Sequence, residues 1–78
     1  MKILIRNLDR KTTEDELKAL FEEYADVKSC DLVIDIAKKI SKGFGFVEIE
    51  NPKDANKAII KLNGLRVGSN KIRVKLAD

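Results

Sequence analysis

The stretch Lys42-Gly43-Phe44-Gly45-Phe46-Val47-Glu48-Ile49 decides how the rest of the chain is read. At strand period it sets Gly45, Val47 and Ile49 on one face and Lys42, Phe44, Phe46 and Glu48 on the other. Both faces carry apolar groups, and two of the chain's three phenylalanines share one side with a cation and an anion. Most phenylalanines in strands point into a core. Here that choice also turns Lys42 inward and exposes Val47 and Ile49. The outward choice satisfies more residues and leaves an aromatic pair on an open surface.

Working outward, Asn51 and Pro52 read as a helix cap and a first-turn proline. Ala55, Ala58, Ile59 and Leu62 then recur at helical spacing until Asn63-Gly64 stops the helix. A short segment Leu65-Arg66-Val67, a turn Gly68-Ser69-Asn70 and a final strand from Lys71 to Leu76 follow. On the N-terminal side, 36–41 is a polar loop and 28–35 a strand, with Cys30, Leu32 and Ile34 on one face and Asp31 and Val33 on the other. Thr13 and Glu16 form a capping-box signature that opens a helix over 14–25, with Leu17, Leu20, Phe21 and Tyr24 on its apolar side. Residues 2–8 are a strand with Ile3 and Ile5 on one face and Leu4 and Arg6 on the other, followed by the loop Asp9 to Lys11.

The order is therefore βαββαβ, an α+β arrangement. Its two βαβ units cross over right-handedly, so both helices cover one face of a four-stranded antiparallel sheet and the other face stays bare. An exposed aromatic pair beside Lys and Arg is what stacking of unpaired bases requires: each base offers a π-face and each phosphate needs a cation. Arg6, Lys42, Arg73 and Lys75 all fall on the face that holds the two rings, and as a cluster they read as contacts to a phosphate backbone. Asp31, Val33 and Glu48 share that face; the carboxylates either accept from base amino groups or discourage duplex phosphate.

Composition narrows the chemistry. With 78 residues there is room for one domain, spanning 1–78, and none for a deep cleft between lobes. Hydrophobic residues make up 44% and charged residues 37%, the balance of a folding chain. The absence of histidine and the single cysteine remove the raw material of imidazole or paired-thiolate metal sites and of His-assisted nucleophiles, so neither a cofactor nor a metal is expected. Cys30 reads as a buried structural thiol. The net charge of +3 is unevenly spread: residues 1–37 hold six Lys/Arg against nine Asp/Glu, and residues 38–78 ten against four. An anion-attracting region in the second half follows. Arg6 and Asp9 interrupt the N-terminal apolar run, which is neither a secretory core nor a membrane span. The expectation is a cytoplasmic protein at its mature length, a monomer without membrane contact.

KGFGFVEI resembles the RNP1 octamer of the RNA-recognition motif (RRM) family, matching seven of eight positions, with Ile49 where an aromatic is usual. Ile3 to Leu8, ILIRNL, resembles the companion RNP2 hexamer, and the similarity runs along essentially the whole chain. The resemblance implies a ferredoxin-like sheet of order 4-1-3-2 with the two motifs side by side on its central strands. Phe44 and Phe46 match the positions that stack on a base and pack against sugars, and Lys42 the basic first position that contacts phosphate. Leu4 matches an RNP2 position that is usually aromatic, and that departure blunts one platform. Base stacking on an aromatic is worth roughly 1–3 kcal/mol, of which leucine recovers part, so binding about tenfold weaker than with a full set is expected.

The function these residues point to is non-enzymatic binding of single-stranded RNA, about two to four nucleotides on one sheet. Main-chain groups at the end of the last strand would read base edges, and single-stranded DNA is a second candidate ligand. The loop Ile36 to Ser41 and the end Ala77-Asp78 are the expected sources of sequence preference. A protein-binding module using the same open face is the alternative. Catalysis in the manner of acylphosphatase-like proteins, which share the strand order, needs an anion-cradling first loop; Asp9-Arg10-Lys11-Thr12 is acidic at its start and lacks glycine. A copper carrier on this topology needs a CxxC there, and the sequence contains none.

Overall fold

The computed structural model describes residues 1–77. Eight elements follow in order: β1 Lys2–Arg6, α1 Glu14–Glu22, β2 Ser29–Asp35, β3 Ile40–Glu48, α2 Pro52–Leu62, β4 Arg66–Val67, β5 Asn70–Lys71 and β6 Arg73–Leu76. Strands β2, β3, β1 and β6 form an antiparallel sheet in that order, which is the expected 4-1-3-2 arrangement once β6 is counted as the fourth main strand. Strands β4 and β5 form a separate hairpin. The architecture is the ferredoxin-like βαββαβ fold.

Local chemistry accounts for both helices. The Thr13 hydroxyl accepts the backbone N–H of Glu16 at 3.1 Å, and the Glu16 carboxylate accepts that of Thr13 at 2.9 Å, a complete capping box. Asn51 caps α2 by accepting from Lys53 and Asp54, and Pro52 occupies the first turn, where its missing N–H costs nothing. The apolar stripes Leu17/Phe21 and Ala55/Ala58/Leu62 then meet Ile3, Ile5, Val47, Ile49, Ile72 and Val74 in one buried cluster. Every strand residue in it has core-facing parity, so both helices lie over the same face. Phe21 is fully buried in this core, whereas Phe44 and Phe46 are only half-buried.

Gly45 explains how closely the layers approach. A methyl group there would lie 2.6 Å from the Asp31 carbonyl oxygen and 3.3 Å from a Leu17 methyl carbon, so only hydrogen lets β2 and α1 close over β3. Helix α1 also ties down the outer strand: the Leu32 N–H donates to the Glu14 carboxylate at 3.0 Å. That bond occupies a donor on the sheet's edge.

Several boundaries differ from those read in the sequence. The last strand is divided, because the Ile72 N–H donates to Leu65 and its carbonyl accepts from Gly64, which binds the residue to the end of α2; Asn70–Lys71 pair with Arg66–Val67 instead. Strand β1 ends at Arg6, since Asn7 turns left-handed (φ 59°). Helix α1 ends at Glu22, with the N–H groups of Tyr24 and Ala25 both donating to the Phe21 carbonyl. Strand β3 spans Ile40–Glu48 where the pattern suggests Lys42 to Glu50; it starts two residues earlier because the 36–39 turn is tight, with Asp35 accepting from the N–H groups of Ala37, Lys38 and Lys39. Ile34 leaves the core face it was expected to share with Cys30 and Leu32 and is 44% exposed. A register shift between Leu32 and Ile34 accompanies this change, with Gly43 left-handed (φ 83°) in the opposing strand. Of the two segments expected to set sequence preference, the end Ala77-Asp78 lies partly outside the described residues, at Asp78.

Candidate nucleic-acid interface

The open face of the sheet is built in rows by the strand register. Asp31 of β2 pairs with Phe46 of β3, Phe46 with Leu4 of β1, and Leu4 with Lys75 of β6, so these side chains form one line across all four strands. On one side of that line, Arg6 pairs with Arg73, and Phe44 follows Phe46 along β3. On the other, Glu48 lies between Ser29 and Lys2. Seven of the eight residues singled out in the sequence, Leu4, Arg6, Phe44, Phe46, Glu48, Arg73 and Lys75, therefore stand together on this face. Lys42, the eighth, is exposed at the bulge beyond Phe44.

The two rings are set edge to face, their centroids 6.3 Å apart and their planes at 88°. A mutual stack would hide both π-faces; this arrangement does not. With Leu4 and Arg6 they line a shallow hollow of about 340 Å³. Lys2 Nζ lies 4.7 Å from the Phe46 ring centroid, within cation–π range. The sequence reading passed over Lys2, although it shares the parity of Leu4 and Arg6, and that parity was the signal.

Charge on this face is unbalanced. Lys2, Arg6, Lys42, Arg73 and Lys75 face two carboxylates, Asp31 and Glu48, and among the described residues none of the five cations makes an ion pair; the only one there joins Lys28 to Glu50 at 3.3 Å. Among the described residues no three metal-ligating side chains gather, and no helix is long and apolar enough to cross a membrane. Cys30 is set apart from the open face. Burial, followed by the carboxylates of Glu14 and Asp31, pushes its thiol up to about 11, and it donates to the Glu14 carbonyl at 3.7 Å.

Comparison with known proteins agrees with this geometry. The family model of the RNA recognition motif matches residues 3–73. The chain belongs to the RNA recognition motif family. Among solved structures, this RNA recognition motif resembles RNA Binding Protein PG1, with 36% identity, a TM-score of 0.94, and coverage of 99% of this chain and 93% of that one. It also resembles Sex-lethal of Drosophila melanogaster, in the structure of its RNA recognition domains 1 and 2 (28% identity, TM-score 0.93, 99% of this chain and 49% of that one). The Sex-lethal protein/RNA complex matches at the same identity and TM-score, over 99% of this chain and 46% of that one. The chain thus spans about half the length of each Sex-lethal chain.

Proposed function

We propose that this RNA recognition motif binds single-stranded RNA on the open face of its sheet, as a monomeric, non-catalytic cytoplasmic protein. The observation that carries the reading is the pair Phe44 and Phe46, half-buried on the helix-free face and surrounded by cations that have no carboxylate partner among the described residues. Membership of the family and the likeness to a protein solved as a protein/RNA complex support it. Phe44 and Phe46 each offer a ring to a base, and Leu4 extends the surface with an apolar contact weaker than a stack. Arg6, Lys42, Arg73 and Lys75 meet phosphates, while Glu48 accepts from a base amino group. Single-stranded DNA offers the same bases and phosphates and binds by the same contacts without those to the 2′-hydroxyl.

The test is an NMR titration of labelled protein with a degenerate pool of single-stranded RNA at two salt concentrations, comparing wild type with the Phe44→Ala/Phe46→Ala double variant. The expected result is shifts on β1 and β3, lost in the variant and weakened by salt. Absence of shifts in wild type at high RNA concentration overturns the reading and moves the weight to a protein partner on the same face.

A further inference from the structure

Past Phe44 the open face runs into a second depression, of about 380 Å³, whose lining includes Arg6, Asn7, Arg10, Lys42, Phe44 and Asn70. Among the described residues no carboxylate lines it. On the other side of Lys42 and Phe44 a hollow of about 320 Å³ again has Arg10, Lys42 and Phe44 in its wall, so Arg10 stands between the two. Asp35 lines that second hollow, with one carboxylate oxygen already accepting from Ala37 and Lys38.

The walls of the acid-free depression come from distant parts of the chain and are braced. Asn7 Nδ2 donates to the Lys71 carbonyl at 2.8 Å, tying the end of β1 to the β4–β5 hairpin. The Leu8 N–H donates to the Gly43 carbonyl at 2.9 Å, tying the same segment to the β3 bulge. Asp9, the acid next to Arg10 in the chain, directs both carboxylate oxygens elsewhere, Oδ2 to the N–H and hydroxyl of Ser69 and Oδ1 to the N–H of Lys11. Arg6, Arg10 and Lys42 are left exposed around one depression with no ion-pair partner among the described residues. Three like charges so placed repel one another, and a bound anion reverses the sign of that energy; a guanidinium fork suits two phosphate oxygens at once.

We infer that this depression is a phosphodiester subsite, in which Arg10 joins Arg6 and Lys42 in binding the backbone phosphate beside the base on Phe44. The subsite leads the strand off the sheet, over the β1–α1 loop and toward the β4–β5 hairpin. It rests on the open-face reading of RNA binding and adds to it a residue outside both sequence motifs.

The test measures RNA affinity against salt by fluorescence anisotropy, using random hexanucleotides with hydroxyls at both ends, so that every phosphate is a phosphodiester. Wild type is compared with Arg10→Gln, Arg10→Lys and, as a charge control on α2, Lys53→Gln. Each phosphate contact on a single strand contributes a slope of about −0.7 in log K against log salt. Arg10→Gln is expected to flatten the slope by about that amount and to weaken binding about three- to tenfold at low salt. Arg10→Lys should keep the slope, and Lys53→Gln should match wild type in both respects. An unchanged slope in Arg10→Gln overturns the inference, as does an equal loss in Lys53→Gln, which would signal a general charge effect. Dependence on Arg10 seen only with terminally phosphorylated hexamers overturns the phosphodiester assignment. Inorganic phosphate titrated alone by NMR separates this inference from its premise: Arg10-dependent shifts at the Asn7, Gly43 and Asn70 amides support the subsite even if wild type fails to bind RNA, and their absence counts against it.

Discussion

Asp9 and Ser69, sixty residues apart, are joined through one carboxylate oxygen, which accepts the Ser69 backbone N–H at 3.1 Å and its hydroxyl at 2.8 Å. This contact fastens the β1–α1 loop to the turn of the β4–β5 hairpin and so fixes where Arg10 and Asn70 stand relative to the sheet. Gly68 completes it: at φ 63° with the Asp9 carboxylate close by, a methyl group would fall 2.6 Å from Oδ2.

The clip is charge-dependent. The N–H of Lys11, then the hydroxyl and N–H of Ser69, hold the Asp9 carboxyl below the ordinary value of 3.8. A carboxyl depressed by folding stabilises fully above its unfolded value and loses that contribution as pH falls through its folded value. Thermal melts of wild type and Asp9→Ala should therefore differ at pH 7, and the gap should narrow below about pH 4. A gap that stays constant down to pH 2.5 would mean that the ionised carboxylate contributes nothing.

Gly45→Ala tests the close approach of β2 and α1 to β3. The added methyl meets a backbone carbonyl at 2.6 Å, which cannot swing aside as a side chain would. A loss of roughly 1–3 kcal/mol in urea unfolding, with an unchanged denaturant slope, is the expected outcome. A loss below about 0.5 kcal/mol would show that the strands separate easily at that point.

What the sequence made legible was local. Period two in β3 separated Val47 and Ile49 from Phe44 and Phe46, and the Thr13/Glu16 and Asn51/Pro52 signatures marked where both helices begin. Contacts between loops were not legible. Nothing near Arg10 in the chain reveals that Asp9 holds Ser69, and hence nothing reveals that Arg10 borders the same depression as Lys42 and Asn70. The break at Ile72 was hidden for the same reason: Lys71 to Leu76 alternates like one strand, and only the bonds from Ile72 to Gly64 and Leu65 divide it.

Cys30 should be a poor nucleophile. Its thiol is pushed from 9.0 to about 11 by burial and then by the neighbouring Glu14 and Asp31 carboxylates, so at neutral pH its thiolate fraction is about a hundredth of an ordinary one. Reaction with a disulfide reagent in native protein should be slow at pH 7.5 and rise through pH 10, becoming fast at pH 7.5 only in denaturant. A rapid native reaction at pH 7.5 would contradict this environment.

Leu4 occupies the central position of the platform, between Phe46 on β3 and Lys75 on β6, and shares a hollow with Phe44, Phe46 and Arg6. Leu4→Phe puts a third ring there. Stacking is worth roughly 1–3 kcal/mol per base and leucine already recovers part of it, so RNA affinity should rise about tenfold. The side chain is half-buried on the open face, and a cross-strand pair with Phe46 contributes roughly 0.2–1 kcal/mol, so stability should hold or rise slightly. Anisotropy titrations beside urea melts separate the two effects. Unchanged affinity in Leu4→Phe, with binding still lost in Phe44→Ala, would mean that the strand does not cross β1 and that the platform is confined to β3 and its Arg10 side.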